Sequence, residues 1–112
     1  MERVNEADLE FRHGDHGPKY LLRGPRIEWG IIVFKPGQEL GPHWHREVEE
    51  TFYFLEGSPL MVVDDEEHRV RPGDAFRLEP PECHNIVNDT DGDTRLIFIK
   101  TPYLPDDKVE MA

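Results

Sequence analysis

The chain has 112 residues, 24 Asp or Glu against 13 Lys or Arg, and a formal net charge of −11. That charge repels phosphate backbones and anionic lipid, so neither nucleic acid nor a membrane surface is expected as a partner. No stretch approaches the roughly 20 apolar residues needed to cross a bilayer, and the length suits one domain, 1–112, with a single modest core.

The amino terminus, MERVNEADLE, is charged and lacks the apolar centre of a secretion signal. One cysteine, Cys83, leaves no room for an internal disulfide framework, so a cytoplasmic protein is expected. Residues 5–11 predict one helical turn, and 1–25 as a whole form an N-terminal arm and first strand region. Within it His13 and His16 flank glycines in HGDHGPKY. That segment reads as a disordered arm, with folding over the mouth of the domain as the alternative.

From 26 to 101 the chain predicts short strands at 28–34, 41–45, 50–55, 60–63, 67–70, 75–78, 84–88 and 94–100. Turn chemistry separates them at Pro36-Gly37, Gly57-Ser58-Pro59, 64–66, Pro72-Gly73-Asp74, Pro80-Pro81 and Asp91-Gly92-Asp93. Evenly spaced short strands without helical periodicity predict an all-β barrel or jelly roll. Residues 102–112 form an extended tail.

Three segments, GIIVF at 30–34, LMVV at 60–63 and LIFI at 96–99, are apolar on both faces. A one-sided antiparallel sheet has a polar outer face, so these strands call for cover on both sides. A partner subunit is the simplest cover, which predicts a homodimer with Trp44 and Tyr53 contributing.

The chemistry concentrates in two segments. GQELGPHWHREVEETFYFLEG, from Gly37 to Gly57, carries His43, His45 and Glu50, and GDAFRLEPPECHNIVN, from Gly73 to Asn88, carries His84. Histidines at i and i+2 project from one face of a strand. A nearby carboxylate and a third imidazole complete a mixed nitrogen and oxygen site for a divalent metal. The odd-to-even step from His45 to Glu50 requires a bend or bulge at 46–49, and Glu49 competes with Glu50 for the carboxylate role.

The spacing Gly37-x5-His43-x-His45-x4-Glu50-x6-Gly57 resembles the first motif of the cupin family at every position. Only Glu50 leaves six residues before Gly57. Gly73, His84 and Asn88 match the second cupin motif, but Glu79 stands where that motif has proline and Pro81 where it has glycine. The resemblance implies a double-stranded β-helix (jelly-roll) cupin barrel. It makes His43, His45, Glu50 and His84 the ligands of one divalent transition metal inside it.

Three imidazoles and one carboxylate leave open positions on an octahedral ion and suit Fe, Mn, Co or Ni, with Zn also able to bind. An open metal can chelate adjacent oxygens of a substrate and polarise a carbonyl. The expected function is binding and transformation of a small oxygen-bearing metabolite, such as a carboxylic acid, sugar derivative or diketone. The chemistry would be that of an isomerase, decarboxylase, lyase or dioxygenase. The alternative is a non-catalytic cupin that binds or senses a small ligand through its metal. Glu79 and His16 are the candidate proton-transfer groups. His68 is expected to be exposed, and Cys83 to point away from the metal.

Overall fold

The computed structural model describes residues 1–111; Ala112, the end of the expected tail, lies outside the described residues. A 3-10 turn at Glu6–Asp8, capped by the Asn5 side chain accepting from the Ala7 amide at 2.9 Å, precedes the strands. These are β1 (Gly17–Arg23), β2 (Glu28–Phe34), β3 (His43–His45), β4 (Glu49–Glu56), β5 (Leu60–Val63), β6 (Glu66–Arg69), β7 (Ala75–Leu78), β8 (His84–Val87), β9 (Thr94–Thr101) and β10 (Lys108–Glu110). They form two five-stranded sheets, ordered β1-β2-β9-β4-β7 and β10-β3-β8-β5-β6, with every pairing antiparallel. The architecture is the all-β jelly roll that the strand spacing predicts.

Alternation along the strands builds the core. Glu50, Phe52 and Phe54 of β4 and Thr94, Leu96 and Phe98 of β9 point inward, and all are buried. Met61 of β5 and Ile86 of β8 meet them from the opposite sheet. Inside β2, Gly30 crosses β1 so closely that a Cβ would stand 2.1 Å from the Lys19 carbonyl oxygen, so only glycine fits. Gly57 has φ +95, and a Cβ there would meet the Asp93 carbonyl at 2.6 Å. The β5–β6 hairpin turns on Asp64 and Asp65, both at positive φ (46 and 69), as a two-residue loop of the primed kind demands.

One expectation needs correction. Residues 13–20 are not a disordered arm: Gly17–Arg23 is a full edge strand on β2, and His13 to His16 form a tight turn ahead of it. The extended tail is anchored, because Lys108–Glu110 pairs with His43–His45. Of the bend or bulge expected at 46–49, the structure has the bend. The chain leaves one sheet after His45 and enters the other at Glu49.

The two-faced apolar strands are covered partly from within. Ile31 and Val33 are buried on the outer face of β2. Their register neighbours are Lys19 and Arg95, which hold the Glu6–Asp8 turn beside them. Lys19 Nζ donates to the Glu6 carbonyl at 2.9 Å, and Arg95 Nη2 reaches both Glu6 carboxylate oxygens at 2.6 Å. Trp44 is half-buried opposite Val109 of β10. Tyr53, Leu55 and Ile99 remain exposed.

Candidate metal centre and its cavity

Two sheets supply the site. His43 and His45 alternate inward from β3, and His84 stands directly opposite His43 on β8. Glu50 reaches across from β4, in the facing sheet. All four side chains are buried, and one donor atom from each lies within 4.8 Å of the others. The Nε2 atoms of His43, His45 and His84 lie 3.5, 3.1 and 2.9 Å from the same oxygen, Glu50 Oε1. Glu49 faces outward toward Arg77, at 3.9 Å.

The donor set fits a cation on its own geometry. His43 Nδ1 lies 2.9 Å from the Gly41 carbonyl, and His84 Nδ1 lies 3.2 Å from the Glu82 carbonyl. A carbonyl only accepts, so both Nδ1 atoms carry the proton, and in the neutral rings both Nε2 atoms present lone pairs. Those lone pairs face a carboxylate oxygen, itself only an acceptor when ionised. An electrophile shared among them resolves the conflict, and the group could hold a divalent metal. His45 completes the set differently. Its Nδ1 is buried without a hydrogen bond, and the nearest carboxylate oxygen, Asp107 Oδ2, is 3.9 Å away.

Electrostatics agree. Burial alone would raise the Glu50 carboxyl, but positive donors at the three Nε2 positions and the charge of Lys100 hold it well below the usual carboxylate range, so an ionised Glu50 calls for a proton or a metal ion between it and the imidazoles. Burial pushes His43 below the usual imidazole value, which favours the neutral ring a metal requires.

Above the cluster opens a cavity of about 300 Å³, reached by His43 and Glu50 and walled by Ile32, Phe34, Leu40 and Phe98. That volume lies at the small end of ligand pockets. His16 lines it, and its Nδ1 is 2.7 Å from Asp15 Oδ1. The turn bearing His13 and His16 therefore does lie over the mouth. Glu79 does not line the cavity. It is exposed, in a turn where its amide donates to Glu82 Oε1 at 2.7 Å. His68 is exposed in β6, and half-buried Cys83 lines a separate surface depression with Asp64 and Asp65. Asn88, fully buried, ties the Phe34 and Gly92 carbonyls together and accepts from Thr90.

Asp107 escaped the sequence reading. It accepts from the Glu47 and Val48 amides at 3.0 and 2.9 Å, anchoring the tail against the turn between β3 and β4. Nothing in its local sequence marks it, since Asp106-Asp107 after Pro105 reads as one more acidic turn.

Similar proteins place these features in context. The chain is 30% identical to protein SchB of Streptomyces halstedii over 76 residues, 68% of this chain and 55% of SchB. It is 38% identical to the dimethylsulfoniopropionate lyase DddW of Ruegeria pomeroyi over 64 residues, 56% of this chain and 41% of the lyase. The chain spans about half the length of the curated relatives it matches. The polyketide cyclase RemF of Streptomyces resistomycificus superposes with a TM-score of 0.85 at 22% identity, over 100% of this chain and 86% of RemF, a likeness of fold. The model of the cupin domain matches residues 30–100, a stretch that holds all four buried donors, and the chain belongs to the cupin family.

Proposed function

We propose that His43, His45, Glu50 and His84 hold one divalent transition metal and that the protein uses it to transform a small oxygen-bearing metabolite. The observation that carries this reading is the convergence of three Nε2 atoms on Glu50 Oε1 at the floor of an open cavity. A bound Fe, Mn, Ni, Co or Zn ion supplies a Lewis acid for substrate oxygens there. The chain's own residues do the rest. The walls at Phe34 and Phe98 keep water from one side of the substrate. His16 lines the cavity, and with its Nδ1 proton directed at Asp15 its Nε2 is left as a candidate base. Isomerase, decarboxylase, lyase and dioxygenase chemistry all suit such a site. One relative by sequence is by name a lyase, which supports an enzyme.

A second reading has its own support. Glu79 stands away from the cavity, leaving His16 as the one candidate base of the two, and a cavity so sparsely supplied suits a protein that binds or senses a ligand through its metal. A metabolite screen read by melting shift and mass spectrometry, with and without metal, separates the two. Metal-dependent turnover supports the enzyme. Hits that shift the melt and emerge unchanged, with and without oxygen, establish the binder. A chain that takes up no metal in any supplement refutes both.

The proposal includes a cytoplasmic homodimer. Free Cys83 fits a reducing compartment. Tyr53 and Leu55, each 42% exposed, and Ile99, 37% exposed, leave an apolar outer face on β4 and β9 that a second copy would cover. Sedimentation should give twice 13.1 kDa, and Ile99→Glu should shift the protein toward monomer.

A further inference from the structure

The cavity above the donor cluster adjoins a second one that His45 lines, under the β10 strand and the residues preceding it. Four residues line both: Arg12, Tyr20, Lys100 and Lys108. Three are cations, and none is a carboxylate. In a chain with 24 acidic and 13 basic residues, a shared wall of that composition runs against the average.

The cations differ in how far they are already satisfied. Lys100 is fixed: its side chain is 19% exposed, Nζ lies 3.7 Å from Glu28 Oε1, and it sits 5.4 and 5.6 Å from the Phe98 and Tyr20 ring centroids. Glu28 is itself committed to Arg23, at 2.5 Å. Among the described residues Lys108 pairs with Glu110 alone, at 3.5 Å, whose side chain is 78% exposed. Arg12 has no carboxylate within salt-bridge distance among the described residues, and its guanidinium stands 5.8 Å over the Tyr20 ring. Phe34, Leu40 and Phe98 add apolar surface to the first cavity, Phe98 beside Lys100.

We infer that this wall is an anion subsite and that the ligand is a small amphiphilic carboxylate, its apolar body against Phe34, Leu40 and Phe98 and its negative charge between Arg12, Lys100 and Lys108. The inference rests on the cavity above the four donors being the ligand site, and it narrows the ligand from oxygen-bearing metabolites to anionic ones. Three cations from β9, β10 and the segment ahead of β1 line both cavities, so their fields add over the space between them. A planar guanidinium and two ammonium groups suit a carboxylate's oxygens.

The test uses salicylate and its neutral isostere salicylamide as probes, measured by calorimetry on metal-free and metal-loaded protein, with metal content determined separately. Metal-free wild type should prefer salicylate by about 10-fold, as expected when two or three partly exposed charges each contribute modestly. Rising salt should erase that preference and leave salicylamide binding unchanged. The exposed pair Arg12→Gln with Lys108→Gln should abolish the preference without altering salicylamide binding. If neither form of the wild type discriminates, the inference is wrong. It is equally overturned if discrimination appears only with metal and survives the double substitution, since the ion alone would then attract the anion and the metal reading would stand. If the protein takes up no metal yet metal-free discrimination persists, the anion subsite stands and the metal reading falls.

Discussion

The two sheets that enclose the site are built to different standards. In the sheet β1-β2-β9-β4-β7, β2, β4 and β9 run seven or eight residues, with unbroken register between β2 and β9 and one irregularity at Phe54/Glu56 between β4 and β9, and contribute Phe52, Phe54, Leu96 and Phe98 to the core. In the other, no strand exceeds four residues, β6 is exposed throughout, and β3 meets β8 through the single pair His43 and His84. Yet the second sheet supplies all three imidazoles, and the first supplies only Glu50. Stability and chemistry are thus divided. The long sheet provides a rigid floor. The short one presents the donors; β10 closes its edge on β3, and two side chains clamp it further, Asn85 Oδ1, which accepts from the Gly41 amide at 2.8 Å, and Asp107.

The largest break in that division should come from the long sheet. Phe98→Ala, at a position 1% exposed, should cost about 3–5 kcal/mol of unfolding free energy by chemical denaturation. A loss below about 1 kcal/mol would show that the core does not depend on this sheet as its burial implies.

The next effect belongs to the donors. His43→Ala should lower metal affinity by about 10- to 100-fold or more, because loss of a ligand should exceed loss of a group that merely orients one. Glu50→Gln should weaken metal binding too, and Glu49→Gln should leave it unchanged, since Glu49 faces Arg77 on the outer surface. Equal losses at both glutamates would refute the assignment.

The clamp comes third. Asp107→Ala strips two backbone amides of their acceptor and should cost about 1–3 kcal/mol, with increased hydrogen exchange at the Glu47 and Val48 amides. Burial opposes ionisation of Asp107, but the amides of Glu47 and Val48 and the charge of His45 hold its carboxyl below the usual aspartate value. A depressed folded-state value means that the carboxylate stabilises the fold above the unfolded aspartate pKa. That stabilisation is lost as pH falls through the folded value. Wild type and Asp107→Asn should therefore differ most near neutrality and converge on acidification below the ordinary carboxylate range, measured as melting temperature against pH.

Much of this molecule is legible in its residues because the governing interactions are local. Alternation of Phe52 and Phe54 or of Leu96 and Phe98, and the glycines and prolines between strands, report secondary structure within a few neighbours. The i, i+2 spacing of His43 and His45 sets a common face before any fold is known, while Glu50 rather than Glu49, and His84, follow from the resemblance to the cupin motifs. What depends on closure of the chain is not legible this way. Sequence spacing cannot distinguish a bulge at 46–48 from a passage between sheets, because both reverse the side-chain parity. Gly17–Arg23 is a strand because β2 offers it an edge, and Lys108–Glu110 because β3 does. Neither segment has an alternation of its own strong enough to announce it. His16 over the mouth, Asp107 beside His45, and Arg12, Lys100 and Lys108 on one wall are separated by tens of residues along the chain. The sequence by itself determined the strands between 28 and 101, the barrel class and the four candidate donors. Only the tertiary structure decided which distant charges and clamps surround them, since contacts between such residues carry no periodic signal and arise only when the two sheets close.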